Sequence, residues 1–145
     1  MADTAKLSGG FLLSLANKEI DLDSDIIKVM ACSSAYVFDQ DTHRYKSSVT
    51  SEITGIGYTA GGQQLTGVTL TYNATTNQLT FDANDVEWGP EATMQARNFV
   101  IYDASPGSDA TRPIIGCITY DTDKASTGAP FKIIWDAAGI FRFTV

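Results

Sequence analysis

Residues Glu52 to Trp88, EITGIGYTAGGQQLTGVTLTYNATTNQLTFDANDVEW, decide the fold of this chain. Within them, Val68, Leu70 and Tyr72 alternate with polar residues, and the alternation resumes in QLTFD (78–82) after the turn-forming run NATTN. Successive side chains of a strand point to opposite faces of its sheet, so the stretch predicts a β-hairpin with one buried face. Antiparallel β-structure is therefore expected to dominate.

The first half of the same stretch contains Gly55, Gly57, Gly61 and Gly62, which predict an ordered irregular loop. The letters GIGYTA also match the dinucleotide-binding fingerprint G-x-G-x-x-G/A. That fingerprint needs a strand before it and a helix after it, and neither pattern flanks this segment. We therefore interpret residues 55–62 as a structural loop.

Composition favours a single globular domain over residues 1–145. A chain of 145 residues can bury one sizeable core and is too short for two domains of ordinary size. The hydrophobic fraction of 43% and the charged fraction of 19% are typical of a soluble folded protein. The net charge of −7 disfavours direct nucleic-acid binding, because such binding depends on neutralising phosphates with Lys and Arg.

Two features bear on the environment of the chain. The apolar run FLLSLA (11–16) is too short to cross a bilayer, so no membrane association is expected, and the chain is expected to stay in a cytoplasm or in a particle assembled there. Cys32 and Cys117 lie within apolar β patterns. They are predicted to be small buried hydrophobic residues and not a disulfide.

A short N-terminal helix and a long loop are predicted before the hairpin. The helix is expected over about 7–17 because four apolar residues share one side of a helical wheel: Leu7, Phe11, Leu12 and Leu15. The polar stretch over about 33–54 has no period, which predicts a long ordered loop containing a helical turn. Long ordered loops often make functional contacts.

About seven strands are expected in total. Besides the hairpin, apolar β patterns lie at Ile26–Cys32, Met94–Tyr102, Pro113–Tyr120, Phe131–Trp135 and Phe141–Val145. The turn AAG (137–139) is expected to join the last two strands as a hairpin. These elements predict a mainly β, single-domain fold, either an antiparallel β-sandwich or a partly rolled barrel.

The acidic turn DLDSD (21–25) resembles the start of a calcium loop, since it places carboxylates at alternate positions. Ile26 stands where such a loop needs glycine, and Cys32 stands where it needs a bidentate glutamate. A turn between the helix and the first strand is the alternative interpretation. No metal site is assigned.

No catalytic or cofactor-binding residue is assigned, and the chain is predicted not to be an enzyme. His43 lies near Asp41 in a polar loop, without a nucleophile in an elbow motif or the cysteine spacings of a zinc site. Carboxylates over 82–87 could in principle form a glycoside-hydrolysis pair, and the tryptophans and tyrosines could form a sugar-stacking platform. Solvated and core roles are favoured for these groups.

The order of these segments resembles a family of small virion structural proteins of tailed bacteriophages, which includes head decoration or capsid cement proteins. The resemblance covers nearly the whole chain. It rests most specifically on the GxGYTAGG and FDAxDVxW segments, and its pieces are IDLDSDIIKVM (20–30), EITGIGYTAGGQQLTGVTLTY (52–72), FDANDVEWGPEATMQARNFVIYD (81–103), PIIGCITYD (113–121) and FKIIWDAAGI (131–140).

This resemblance implies a capsid decoration protein that binds the outer head surface and stabilises the expanded shell. Its partners would be the major capsid protein and copies of itself, with a cyclic trimer favoured by shell symmetry. It would be assembled in the bacterial host cytoplasm and would end on the capsid surface. A tail, neck or baseplate component, or a carbohydrate-binding host-recognition knob, is the alternative.

Two groups of contact residues are predicted by combining the loops with this resemblance. The capsid-facing or neighbour-facing residues are expected to be Asp39, His43, Arg44, Tyr45 and Tyr58. The subunit interface is expected to involve the last strand, namely Ile140, Phe141, Arg142, Phe143 and Val145.

Overall fold

Strand pairing is antiparallel in all three sheets of this chain, which a computed structural model describes over residues 2–145. A five-stranded sheet has the order β1-β8-β7-β2-β3, a three-stranded sheet the order β10-β5-β4, and β6 pairs with β9. The elements are β1 (Thr4–Leu7), α1 (Gly9–Ala16), β2 (Ile27–Cys32), a 3-10 helix (Lys46–Ser48), β3 (Gln63–Gln64), β4 (Thr69–Asn73), β5 (Gln78–Asp82), β6 (Val86–Trp88), β7 (Met94–Asp103), β8 (Ile114–Ser126), β9 (Phe131–Ile133) and β10 (Phe141–Thr144).

The predicted hairpin is confirmed as β4 and β5. Leu70 faces Phe81 across the pair, and Tyr72 faces Leu79. Burial is graded along the hairpin, because Phe81 is fully buried while Tyr72 near the turn is 55% exposed. The base of the hairpin therefore belongs to the core and its tip extends into solvent.

The five-stranded sheet is buried on both faces along its central strands. On β7, Phe99 and Ile101 point into one apolar cluster and Val100 and Tyr102 into another. The first cluster lies between this sheet and the smaller sheets and includes Phe81 and Trp88 of those sheets. This layered arrangement is a sandwich of open sheets that do not close into a barrel.

The second cluster is covered by the long loop and not by a sheet. Tyr36 is 3% exposed and packs on this face, and Phe38 and Val49 pack beside it. Asn98 of β7 donates its side-chain amide to the carbonyl oxygens of Ser33 and Tyr36, both at 2.9 Å. The loop thus forms a third layer of the fold, and its expected helical turn is the 3-10 helix.

Ten strands are present where about seven were expected, and the three additional strands are short. β1 has four exposed or half-exposed residues, β3 is the pair Gln63–Gln64, and β6 has only three residues. Edge strands of this kind lack the alternating apolar pattern that identifies a strand in a sequence. They form because the central strands offer unpaired backbone groups to neighbouring chain segments.

The helix is shorter than expected at its start. Ser8 has extended backbone angles and its hydroxyl accepts a hydrogen bond from the Gly10 amide at 3.2 Å, so it caps α1 and the helix begins at Gly9. Leu7 belongs to β1, and Leu12 of the expected apolar side is 56% exposed. The helix buries Phe11 and Ser14 instead.

The prediction of a C-terminal hairpin between the last two strands is wrong. The turn at residues 137–139 exists, but β9 pairs with β6 and β10 pairs with β5. The ring of Phe141 stacks on that of Phe81 with centroids 4.9 Å apart. Packing on the buried base of the first hairpin therefore outweighs local pairing.

Both cysteines are free and buried, as the sequence predicted. Cys32 lies in β2 and Cys117 in β8. Burial raises the pKa of the Cys32 thiol to about 12 and that of the Cys117 thiol to about 11. Both thiols are therefore protonated and unreactive at neutral pH.

Replacing Phe81 should test whether the base of the hairpin holds the two sheets together. We expect Phe81→Ala to lower the free energy of unfolding by about 3–5 kcal/mol, because the buried ring leaves a cavity beside Phe141. Tyr72→Ala at the exposed tip is the control and should cost under about 1 kcal/mol. Urea unfolding measures both, and equal losses would contradict a core centred on Phe81.

Candidate functional site

The long loop crosses helix α1 at a point where the helix has no side chains. A Cβ on Gly10 would lie 2.6 Å from Cγ of Arg44, so only glycine lets the Arg44 stem rest there. Beyond this crossing, Arg44 Nη2 donates to both carboxylate oxygens of Glu19, at 3.0 and 3.1 Å. Tyr45 donates its hydroxyl to Glu19 at 3.1 Å, so one carboxylate holds two consecutive loop residues.

Glu19 is charged in this arrangement. Hydrogen bonding by Ser14, followed by that of Tyr45 and the charge of Arg44, holds the pKa of Glu19 below its ordinary value. Arg44 also lies over the Tyr45 ring, with its guanidinium carbon 5.0 Å from the ring centroid. About 30% of the Arg44 and Glu19 side chains remains accessible, so this ion pair is a partly exposed surface contact.

His43 and Asp39 shape the loop from within. The Asp39 amide donates to His43 Nδ1 at 3.2 Å, and the imidazole stacks on the Tyr36 ring with centroids 5.6 Å apart. Nδ1 is therefore an acceptor, which leaves the proton of the neutral ring on Nε2. The Asp39 carboxylate accepts hydrogen bonds from the amides of Asp41 and Thr42 and closes a turn.

The glycine loop is fixed to β2 by a short chain of hydrogen bonds. Glu52 Oε1 accepts from the Tyr58 hydroxyl at 2.7 Å and from the Gly61 amide at 2.5 Å. The Tyr58 hydroxyl in turn accepts from the amide of Ala31 at 3.0 Å, and its ring stacks on Trp88. Burial raises the pKa of Tyr58, so the phenol stays protonated and keeps this link intact.

A charged cleft of about 380 Å³ separates the glycine loop from the segment before β8. Its floor is the pair Lys28 and Tyr102, which face each other across β2 and β7. Tyr102 donates its hydroxyl to the Gly61 carbonyl at 2.8 Å, and Lys46 Nζ lies 5.6 Å from the Tyr102 ring centroid. The cleft therefore joins both predicted contact loops to the central sheet.

The charges in this cleft are unequally paired. Asp109 bonds Lys46 Nζ at 3.0 Å and Arg112 Nη1 at 3.1 Å, and the bond from Lys46 first of all lowers the pKa of that carboxyl. Lys28 has no carboxylate within 4 Å among residues 2–145. Glu52 lines the same cleft. The ammonium group of Lys28 is thus the cation there that is free to meet an anionic group.

The structure brings three of the predicted contact residues together and separates the rest. His43, Arg44 and Tyr45 lie in consecutive positions against α1, with Asp39 one turn away. Tyr58 lies on the glycine loop and directs its hydroxyl inward to Glu52. Much of the chemistry of these side chains is used within the chain, so their contact with a partner stays a prediction for the surface that remains exposed.

The sequence analysis missed the residues that line the charged cleft. Lys28, Lys46 and Arg112 come from three distant parts of the chain, and no local pattern groups them. Two large apolar side chains on the predicted contact loops were also missed, since Val37 is 77% exposed and Ile56 is 71% exposed. Exposure of this kind depends on which way each loop faces, which a sequence does not state.

The last strand divides between the core and the surface. Phe141 and Phe143 pack against Phe11, with ring centroids 5.4 and 6.0 Å away. Arg142 lies on the opposite, exposed face and Val145 is 85% exposed, while Ile140 is half-buried. A subunit interface on this strand stays a prediction, and the face available to it is that of Arg142.

The acidic turn uses its carboxylates to cap its own backbone. Asp21 Oδ1 accepts from the Asp23 amide at 3.0 Å, and Asp25 Oδ2 accepts from the Asp21 amide at 2.6 Å. Across residues 2–145, no three His, Cys, Asp or Glu side chains are grouped so that they could hold a metal ion. Within the same residues, no helix is long and apolar enough to cross a membrane.

Comparisons of the chain with sequence models of protein families, with curated proteins and with solved structures gave no match in any of the three. The resemblance to phage virion proteins therefore stays a prediction from the quoted segments.

Replacing Gly62 should test whether the glycine loop must lie this close to β2. Gly62 has a φ of +78°, and a Cβ there would collide with the backbone of Val29, so we expect Gly62→Ala to cost at least about 3 kcal/mol of unfolding free energy. Gly107→Ala is the matched control, since a Cβ there meets nothing within 4 Å. A thermal midpoint for Gly62→Ala equal to that of the control would contradict the close approach.

Proposed function

We propose that this chain is a structural protein of a tailed-phage virion that decorates the outer capsid surface and stabilises the expanded shell. The resemblance of its segments to such proteins motivates the proposal. The observation that carries it is that both predicted contact loops are held rigidly by internal hydrogen bonds while Val37, Ile56 and Lys28 stay available to a partner.

Rigid loops favour a protein whose task is binding. Ordering a mobile side chain on association costs about 0.5–1.5 kcal/mol, and a loop that is already ordered avoids most of that loss. The Arg44–Glu19 and Tyr58–Glu52 contacts supply this order before any partner is met. A weak contact surface of this kind becomes effective when it is repeated on a symmetric shell.

The stabilising effect on the shell would be thermodynamic. A protein that binds only the expanded capsid shifts the equilibrium towards that form by mass action. A cyclic homotrimer would place equivalent faces on equivalent capsid subunits at a threefold position. In such a trimer the exposed face of Arg142 on β10 is the surface we assign to neighbouring copies.

The charged cleft would meet acidic groups of the major capsid protein. Lys28 lacks a carboxylate partner in the described chain, and complementary charges at a rim mainly speed association and select the partner. The expected dependence on salt follows directly, because contacts between partly exposed charges are screened.

Copy number in purified particles tests the assignment to the capsid. We expect about one copy of this chain per major capsid subunit by quantitative gel densitometry, as repeated shell sites require. A few copies per hundred capsid subunits would contradict decoration and assign the chain to the neck, tail or baseplate.

A charge reversal in the cleft tests the contact surface. We expect Lys28→Glu to weaken binding to expanded shells about tenfold at about 0.05 M NaCl and less at about 0.5 M NaCl. Lys6→Glu is the matched control, because Lys6 is exposed on β1 and away from the cleft. Sedimentation of the purified chain with shells measures both, and equal binding by the two variants would exclude the cleft as the contact.

A further inference from the structure

One carboxylate of this protein is buried where no charge neutralises it. Asp103, the last residue of β7, has no exposed surface, and its Oδ2 has no hydrogen-bond partner. Its Oδ1 accepts from the Ser105 amide at 2.8 Å. Leaving a buried polar atom unpaired costs free energy, so the position of Oδ2 calls for a physical reason.

The neighbour of this carboxyl is a second carboxyl group, that of Asp25. When Asp103 is protonated its hydroxyl can donate to Asp25, which satisfies Oδ2 and removes the repulsion between two anions. Burial, together with Asp25, raises the pKa of Asp103 to about 6. Two carboxyl groups that share one site cannot both ionise easily.

No cation is placed to balance this pair. Asp103 makes no ion pair within residues 2–145, and by strand alternation its side chain lies on the face of the first core cluster. Lys28 on β2 and Arg112 and Asp109 before β8 line the charged cleft on the opposite face. Asp21 and Asp23 of the acidic turn are exposed.

The pair lies under a corner that joins β7 to β2. The Ile26 amide donates to Ser105 Oγ at 2.7 Å, and the Ala104 amide donates to the Ile26 carbonyl at 2.8 Å. Ile26 and Ala104 also line the charged cleft. A change of charge at Asp103 therefore acts on the rim of that cleft.

We propose that Asp25 and Asp103 bind one proton between them, and that loss of this proton loosens the corner at Ile26 and Ala104. The pair is then a pH-sensitive latch: closed in mild acid and strained at neutral pH. It does not depend on the proposed role in a virion.

The sign of the effect on stability follows from proton linkage. Because the folded protein holds this proton more tightly than the unfolded chain, the stabilising contribution of Asp103 is fully present below about pH 3.8 and is lost as pH rises through about 6. Asp103→Asn keeps the shape and can donate its amide to Asp25 at every pH, so it should remove this dependence.

The first test follows the carboxyl carbons directly by NMR across about pH 3 to 8. We expect the Asp103 carboxyl to titrate near pH 6 in the wild-type protein and at lower pH in Asp25→Asn, where the neighbouring charge is gone. An Asp103 carboxyl that titrates below about pH 4.5 would overturn the proposal.

The second test measures unfolding by urea at about pH 4.5 and about pH 7.5. Relative to Asp103→Asn, we expect the unfolding constant of the wild type to rise roughly thirtyfold between these values. Asp23→Asn, an exposed position in the same turn, is the matched control and should follow the wild type. A wild type that follows Asp103→Asn would overturn the proposal, and Asp25→Asn provides the same comparison if Asp103→Asn does not fold.

Local and ionic readouts separate the latch from its competitors. Hydrogen-exchange protection at the Ile26 and Ala104 amides should fall from mild acid to neutral pH in the wild type and stay constant in Asp103→Asn. If about 5 mM calcium chloride at about pH 7.5 stabilises the wild type and not Asp103→Asn, the pair holds a cation in place of the proton, and the proposal is overturned.

Discussion

The double-sided burial of the central strands is the constraint on which the rest of this structure depends. β7 presents apolar side chains to both faces of its sheet, so both faces need a cover. Two small sheets and α1 cover one face, and the long loop covers the other. A loop that must cover a core cannot be mobile, and this explains why so many of its polar groups are used in contacts with its own chain.

The polar contacts follow from this layering. Once Tyr36 and Phe38 seal the second cluster, the chain that follows them must cross α1, and Gly10 leaves room for Arg44 at the crossing. The charge of Arg44 then requires Glu19, and the same carboxylate fixes Tyr45. Such partly exposed ion pairs add little stability, and their effect is to hold one loop geometry.

The same layering produces the two places where charge is concentrated. On one face, cations and carboxylates gather in the cleft between the glycine loop and the segment before β8, where water can reach them. On the other face, Asp103 lies at the end of β7 with only Asp25 as a charged neighbour, and it is fully buried. Solvent access separates an ordinary set of ion pairs from a carboxyl pair that responds to pH.

The sequence by itself determined the β4–β5 hairpin, the central strands, the buried thiols and a short N-terminal helix, because alternation and capping are local signals. It predicted where the loops lie but not which way they face. Only the tertiary structure decided that β10 pairs with β5, that Arg44 reaches Glu19, and that Lys46 meets Asp109. The last two contacts join residues 25 and 63 positions apart, and they depend on how the layers stack, which no local pattern encodes.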